Sequence, residues 1–129
     1  MATRGFEDLR VYQLAEKLAD EIWDIVVQWE SFSRNTLGGQ IVKAADSIGA
    51  NIAEGSGRGS YQDNRRFVKI ARGSFYETRH WLRRAHHRKL LSEDEVTRLK
   101  PIIQELGPTL NAYLRSIGQE SSPPMTNDQ

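Results

Sequence analysis

The chain has 129 residues, of which 38% are hydrophobic and 27% charged, a composition typical of one folded domain and not of a disordered chain. Its 18 basic and 17 acidic side chains give a net charge of +1, so the overall charge indicates no class of partner. Cysteine is absent, which excludes disulfides, thiolate metal ligands and cysteine nucleophiles. No apolar run approaches the roughly 20 residues that a membrane span requires, so we expect no membrane association and a cytoplasmic protein.

Apolar residues recur every three or four positions through four segments, which predicts amphipathic helices over residues 8–29, 37–56, 60–89 and 93–117. Polar residues 31–36 separate the first two helices. The glycine-rich residues 55–59 follow the second helix, where a glycine in the left-handed conformation would end it. The core is expected to contain Leu18, Ile22, Ile48, Ile52, Phe75 and Leu82.

The helix ends and connections indicate how the four helices are arranged. Ser60 suits the N-cap of the third helix, and Ser92 with Glu95 forms a capping box at the fourth. The apolar pattern keeps its phase across Pro101 and Pro108, which favours one fourth helix, kinked near these prolines. Short connections then predict an all-α, antiparallel up-down-up-down four-helix bundle over residues 8–117, with an N-terminal arm (1–7) and a disordered tail (118–129).

The second helix is unusually rich in small residues. Ten of the twenty residues between 37 and 56 are Gly, Ala or Ser, and few are charged. Such a helix allows close approach of its neighbours, either inside one bundle or in an interface between subunits.

Three motifs, in order along the chain, resemble a known family. They are residues 6–13 (FEDLRVYQ), residues 40–55 (QIVKAADSIGANIAEG) followed by Gly57-Arg58, and residues 71–78 (ARGSFYET). They are similar to the bacterial four-helix bundle proteins first met as reading frames inside intervening sequences of 23S rRNA genes. Members resemble the accessory protein of diversity-generating retroelements, a homopentameric ring that binds nucleic acid and a reverse transcriptase. The resemblance implies a homo-oligomer, a pentamer by analogy, with RNA, DNA or a reverse transcriptase as partners, and it supplies no catalytic residues.

Patterns typical of enzymes and metal sites are incomplete in this chain. Glu77 and His80 have the Glu-x-x-His spacing of di-iron bundles, but the second such motif that these sites need is missing. No partnered nucleophile pattern is present, so we expect no enzyme, no metal and no cofactor. The glycine-rich loop before the third helix is either a helix end and turn or, with Arg58, a phosphate site.

The charge is distributed unevenly. Residues 7–30 contain seven acidic and two basic side chains, a net charge of −5, whereas residues 58–89 contain ten basic and two acidic ones, a net charge of +8. At about 100° per residue, one quadrant of the third helix carries Arg65, Lys69, Arg72, Arg79 and Arg83, with Tyr76 among them. Because the first and third helices are diagonal in the predicted bundle, the acidic helix cannot readily neutralise the basic one within a subunit.

This basic face has three interpretations. It is a solvated surface, an interface with the acidic helix of another subunit, or a surface that binds nucleic-acid phosphates. The predicted function is a non-enzymatic, homo-oligomeric bundle that binds nucleic acid, or a nucleic-acid enzyme such as a reverse transcriptase. The predicted binding residues are Arg58, Arg65, Lys69, Arg72, Tyr76, Arg79 and Arg83. The alternative is a protein–protein scaffold that binds no nucleic acid.

Overall fold

Four long helices make up the computed structural model, which describes residues 5–119. They are α1 (Arg10–Val26), α2 (Gly39–Ser56), α3 (Tyr61–His87) and α4 (Glu93–Ser116), and residues 5–119 form no strand. The predicted all-α fold is therefore confirmed. Most of the predicted arm and tail, residues 1–4 and 120–129, lies outside the described residues.

The caps predicted for the last two helices are present. The Ser60 hydroxyl accepts a hydrogen bond from the Asp63 backbone N–H (3.1 Å). At the start of α4, the Ser92 hydroxyl accepts from the Glu95 backbone N–H (3.1 Å), and the Ser92 N–H donates to the Glu95 carboxylate (2.9 Å). This reciprocal pair is the predicted capping box, and it satisfies two backbone donors that would otherwise lack partners at the helix start.

The break predicted over residues 31–36 is wrong, because this segment is helical. Residues Ser31–Ser33 form a short α-helical turn and Arg34–Gly38 form π-helical turns that lead directly into α2. The Glu30 carboxylate starts the segment by accepting the N–H groups of Phe32 (3.0 Å) and Ser33 (2.7 Å). Glutamate is not a usual N-cap residue, which is why the polar sequence resembled a loop.

The left-handed glycine predicted after α2 is also wrong. Gly57 has φ −89° and ψ 0°, so the backbone leaves α2 without a left-handed residue. Between residues 5 and 119, positive φ occurs at Lys89 (64°) and Gly118 (90°). Lys89 follows α3, where its N–H donates to the His86 carbonyl (3.0 Å) and the next N–H, of Leu90, donates to the Ala85 carbonyl (2.9 Å). These two bonds form a Schellman motif, with lysine where glycine is usual.

Each helix packs against two neighbours. The α1 helix packs on α2 and α4, and α3 packs on the same two helices, so α1 and α3 lie on a diagonal. Arg10 pairs with Glu105 while Glu21 pairs with Arg98, so contact positions rise along α1 as they fall along α4. This is the order expected of antiparallel neighbours.

The core lies on the inner faces of all four helices. The six residues predicted to be buried, Leu18, Ile22, Ile48, Ile52, Phe75 and Leu82, are each 8% exposed or less. The α4 helix is continuous through Pro101 and Pro108, as predicted, whereas a kink at these prolines stays a prediction. No helix between residues 5 and 119 has the length and apolar composition needed to cross a membrane.

Candidate nucleic-acid interface

Six of the seven predicted binding residues lie along the edge of α3 that borders α4, and we call this set the basic seam. Two of its arginines form hydrogen bonds to α4 or to the residue that follows it: Arg72 Nη1 donates to Asn111 Oδ1 of α4 (3.1 Å), and Arg65 Nη1 donates to the carbonyl of Ile117, directly after α4 (3.0 Å). Both acceptors are uncharged, so these bonds fix the guanidinium groups without neutralising them. The seam contains Arg65, Lys69, Arg72, Tyr76, Arg79 and Arg83.

An open groove of about 410 Å³ lies between α3 and α4, beside the C-terminal half of the seam. Its floor is apolar and consists of Leu82, Leu91, Val96, Leu99 and Ile103. Its edges are polar and mostly basic, with Arg79, Arg83, His86, Lys100 and Gln104. The groove therefore combines an apolar bottom with a positively charged rim.

Tyr76 is the aromatic member of the seam and is 52% exposed. The Arg79 guanidinium lies 6.0 Å from the centre of the Tyr76 ring and 5.8 Å from that of Phe75. Arg72 and Arg79 each lie about one helical turn from Tyr76, and it is Arg79 whose guanidinium lies over the Tyr76 ring. This contact leaves a large part of the Tyr76 side chain accessible.

The seam cations have no carboxylate partner among residues 5–119. Both ion pairs between α1 and another helix in this part of the chain are made with α4: Glu21 of α1 pairs with Arg98 at 3.5 Å, and Arg10 of α1 pairs with Glu105 at 2.8 Å. The α3 base Arg66 pairs with Asp63 of its own helix at 3.6 Å, but it lies outside the seam. The acidic α1 helix therefore leaves the positive charge of the seam uncompensated within the described chain.

Arg58, the seventh predicted residue, lies apart from the seam. It pairs with Glu54 (3.8 Å), and its guanidinium lies 4.8 Å from the centre of the Phe67 ring, which Arg66 also approaches at 4.6 Å. Phe67 is two residues from Arg65 and hence about 200° around α3. The structure consequently places Arg58 and Arg66 together, away from the edge that borders α4.

The glycine-rich loop beside Arg58 is engaged in ending α2. The Gly57 N–H donates to the Glu54 carbonyl (3.2 Å), and the Arg58 N–H donates to the Gly55 carbonyl (3.1 Å). Of the two interpretations of this loop, these bonds favour the helix end and turn, because backbone donors that a phosphate would need are already used.

The Glu77–His80 pair has other contacts. The Glu77 carboxylate accepts a hydrogen bond from Trp81 Nε1 (3.1 Å), and the His80 ring packs edge-on against the Trp81 ring at 4.7 Å. In the part of the chain that the structure describes, no three His, Asp or Glu residues are grouped so that they could hold a metal ion.

Sequence reasoning missed the α4 side of the interface. The edge of α4 that meets the seam contributes Lys100, Gln104 and Asn111, none of them acidic. The sequence does contain a pattern that indicates this edge: Lys100, Gln104 and Asn111 are four and seven positions apart, a spacing that places them on one side of a helix. Because α4 begins with three acidic residues, Glu93 to Glu95, its composition concealed this uncharged and basic edge.

The comparison with protein families agrees with this architecture. The family model of the 23S rRNA-intervening sequence protein matches residues 7–112, which include α1, α2, α3 and most of α4. A comparison with curated proteins finds no match. Since the family model covers most of the chain, this four-helix protein belongs to the 23S rRNA-intervening sequence protein family.

Proposed function

We propose that this chain is a non-enzymatic, homo-oligomeric helical bundle whose basic seam binds the phosphate backbone of RNA or DNA. The observation that carries the proposal is the set of five seam cations without a carboxylate partner among residues 5–119. Cations that no protein acid neutralises attract phosphates, and binding is driven by release of the counterions that surround the nucleic acid.

The seam residues divide into two roles. Hydrogen bonds to α4 and to Ile117 hold Arg72 and Arg65 in place, so less side-chain entropy is lost when they meet a phosphate. Lys69, Arg79 and Arg83 are exposed and adapt to the path of the strand. Arg65 to Arg83 spans about 27 Å of helix, which corresponds to roughly eight nucleotides of one stacked strand. Such contacts position a backbone and do not read bases, so we expect little sequence preference.

Two further predicted residues have smaller roles. The exposed face of Tyr76 offers a surface on which a base stacks. Arg58 lies outside the seam and has a carboxylate partner in Glu54, so it contributes a separate and weaker contact.

Self-association is the second part of the proposal. The opposite charges of α1 and α3 favour contact between α1 of one copy and α3 of the next. A repeated contact of this kind forms a closed ring when the rotation relating neighbouring copies is a whole fraction of a turn. A pentamer, and a reverse transcriptase as a protein partner, follow only from the family resemblance. A scaffold that binds proteins alone is the competing function.

The test compares two double variants that change the net charge equally. Lys69→Glu with Arg72→Glu reverses two seam cations that do not line the groove, whereas Lys17→Glu with Lys43→Glu reverses two exposed lysines on α1 and α2. Fluorescence anisotropy with a labelled single strand of roughly 20 nucleotides, as RNA and as DNA, measures affinity at about 50 mM salt, where phosphate contacts are strong. We expect the seam variant to lose binding and the control to retain most of it, with unchanged helical circular dichroism in both.

The salt dependence gives a second measurement on the wild-type protein. Phosphate contacts to a single strand by three to five of the seam cations predict a slope between about −2.1 and −3.5 for the logarithm of the affinity against that of salt concentration. An equal loss of affinity in both double variants would assign binding to net charge and not to the seam. No binding of either strand by the wild type at low salt would exclude the nucleic-acid function and leave the scaffold.

A further inference from the structure

Two large apolar side chains are exposed at the C-terminal end of the acidic helix α1, Trp23 in its last turn and Val27 directly after it, and we call them the apolar knob. Trp23 is 54% exposed and Val27 is 43% exposed. They lie four residues apart and so are neighbours on the helix surface. Asp20 lies three residues before Trp23 and Asp24 three residues before Val27, so both aspartates border the knob on the helix surface, and both are exposed. The knob is therefore an apolar centre with an acidic border.

The groove between α3 and α4 has the complementary character. Its floor is apolar, and its rim contains three exposed bases: Arg79, Arg83 and Lys100. Apolar side chains at the centre and opposite charges at the border are the arrangement found in protein interfaces, where the polar rim surrounds a desolvated centre.

The knob cannot enter the groove of its own chain. Glu21 marks the side of α1 that faces α4, since it pairs with Arg98. Trp23 lies two residues further on, about 200° around the helix, and so faces away from α4. The groove, in turn, opens on the side of α4 that borders α3, a helix diagonal to α1.

We infer that the apolar knob of one copy seats in the α3–α4 groove of a second copy, with Asp20 and Asp24 against the basic rim. The inference rests on the self-association included in the proposed function and names the surfaces that produce it. Because knob and groove are different surfaces, the contact is head-to-tail, and repetition gives a closed ring or an open filament. Arg65, Lys69, Arg72 and Tyr76 do not line the groove, so they stay available to nucleic acid. Arg79 and Arg83 do line it, so three seam cations contact phosphates in the assembly and the salt slope is the shallower one, about −2.1.

A matched pair of variants tests the knob. Val27 and Ile70 are equally exposed, at 43%, but Ile70 lies on α3 and does not line the groove. We expect Val27→Asp to reduce the mass measured by light scattering to that of the 14.7 kDa monomer, whereas Ile70→Asp leaves the wild-type mass unchanged. Trp23→Ala, which adds no charge to α1, should also dissociate the assembly, and circular dichroism checks that each variant is folded.

A mixing experiment tests the head-to-tail geometry. The groove variant Arg83→Glu with Lys100→Glu keeps its knob, and Val27→Asp keeps its groove. Each alone should be a monomer, and an equal mixture should form a dimer joined by the one intact contact. A mixture that stays monomeric, or knob variants that keep the wild-type mass, would overturn this interface while leaving self-association intact. A monomeric wild type would overturn both, and the separate anisotropy measurement would still decide nucleic-acid binding.

Discussion

Gly55 of α2 leaves the space that Asn64 of α3 occupies. A Cβ atom placed on Gly55 would lie 2.6 Å from Asn64 Oδ1 and 3.1 Å from the Asn64 carbonyl oxygen. It would also lie 3.0 Å from Cβ of Phe67. Since backbone and Cβ atoms cannot move away as a flexible side chain can, the close packing of α2 on α3 at this point requires glycine.

We therefore predict opposite effects for two glycine-to-alanine changes. Gly55→Ala should lower the free energy of unfolding by about 1–3 kcal/mol, as overpacking does. Gly73, inside α3, has open space around its Cβ position, so Gly73→Ala should raise the free energy by about 0.5–1 kcal/mol through the lower entropy of the unfolded chain. Urea unfolding measures both, and a stabilising Gly55→Ala would show that the two helices are not held this closely.

The fold followed from the sequence because its main determinants are local or periodic. Apolar residues at helical spacing identified the core, as Leu18 and Ile48 illustrate, and the Ser92–Glu95 capping box fixed the start of α4. The small residues of α2 predicted close helix packing, which Gly55 provides against α3. These signals need no knowledge of what lies across the bundle.

The features that sequence reasoning missed depend on particular side chains or on distant partners. Glu30 caps a helical segment in a role that serine or aspartate usually fills. The seam needs Asn111, which is 39 residues from Arg72 and carries no charge to suggest a role. The separation of Arg58 from the seam depends on where its loop directs the side chain, and helical spacing does not describe a loop.

The Schellman motif after α3 provides the second prediction. Lys89 adopts the left-handed conformation with φ 64°, which is strained for a residue that has a Cβ atom. Lys89→Gly should remove this strain and raise the free energy of unfolding by about 1 kcal/mol. Arg88→Gly is the control, since Arg88 has φ −86° and gains nothing from glycine. Equal effects of the two changes in urea unfolding would contradict the prediction.

The third prediction concerns Asp46 of α2, whose pKa is raised mainly by partial desolvation and, to a lesser extent, by the Asp20 carboxylate of α1. A raised pKa means that the ionised form is less favourable in the folded state than in the unfolded chain. Its penalty is complete above the folded pKa and disappears as pH falls towards the ordinary value of 3.8. Asp46→Asn should therefore raise the melting temperature at pH 7, with a gain that shrinks on acidification.

Glu30 should respond in the opposite direction. Hydrogen bonds from Ser33, and then from the Phe32 N–H, lower the pKa of the Glu30 carboxyl below 4.5. The contribution of ionised Glu30 to stability is complete above its pKa in the unfolded chain and is lost as pH falls through its pKa in the folded state. Glu30→Gln should thus lower the melting temperature at pH 7, with a difference that disappears in acid. Thermal unfolding of both variants and the wild type from pH 7 to pH 3 tests both predictions. If both variants shifted the melting temperature at pH 7 in the same direction, the pKa shift of either Asp46 or Glu30 would have been assigned the wrong direction.

The last prediction uses the bond between Arg72 and Asn111 to separate stability from binding. Asn111→Asp keeps the shape of the side chain but replaces the amide acceptor, 3.1 Å from Arg72 Nη1, with a carboxylate. The hydrogen bond becomes part of an ion pair, so the melting temperature should stay the same or rise. Arg72 then has an acid partner, and affinity for a single strand should fall, with a salt slope shallower by about 0.7. Asn35→Asp makes the same charge change on the exposed segment before α2 and should leave the affinity close to that of the wild type. If Asn111→Asp alters neither affinity nor slope, Arg72 does not contact a phosphate.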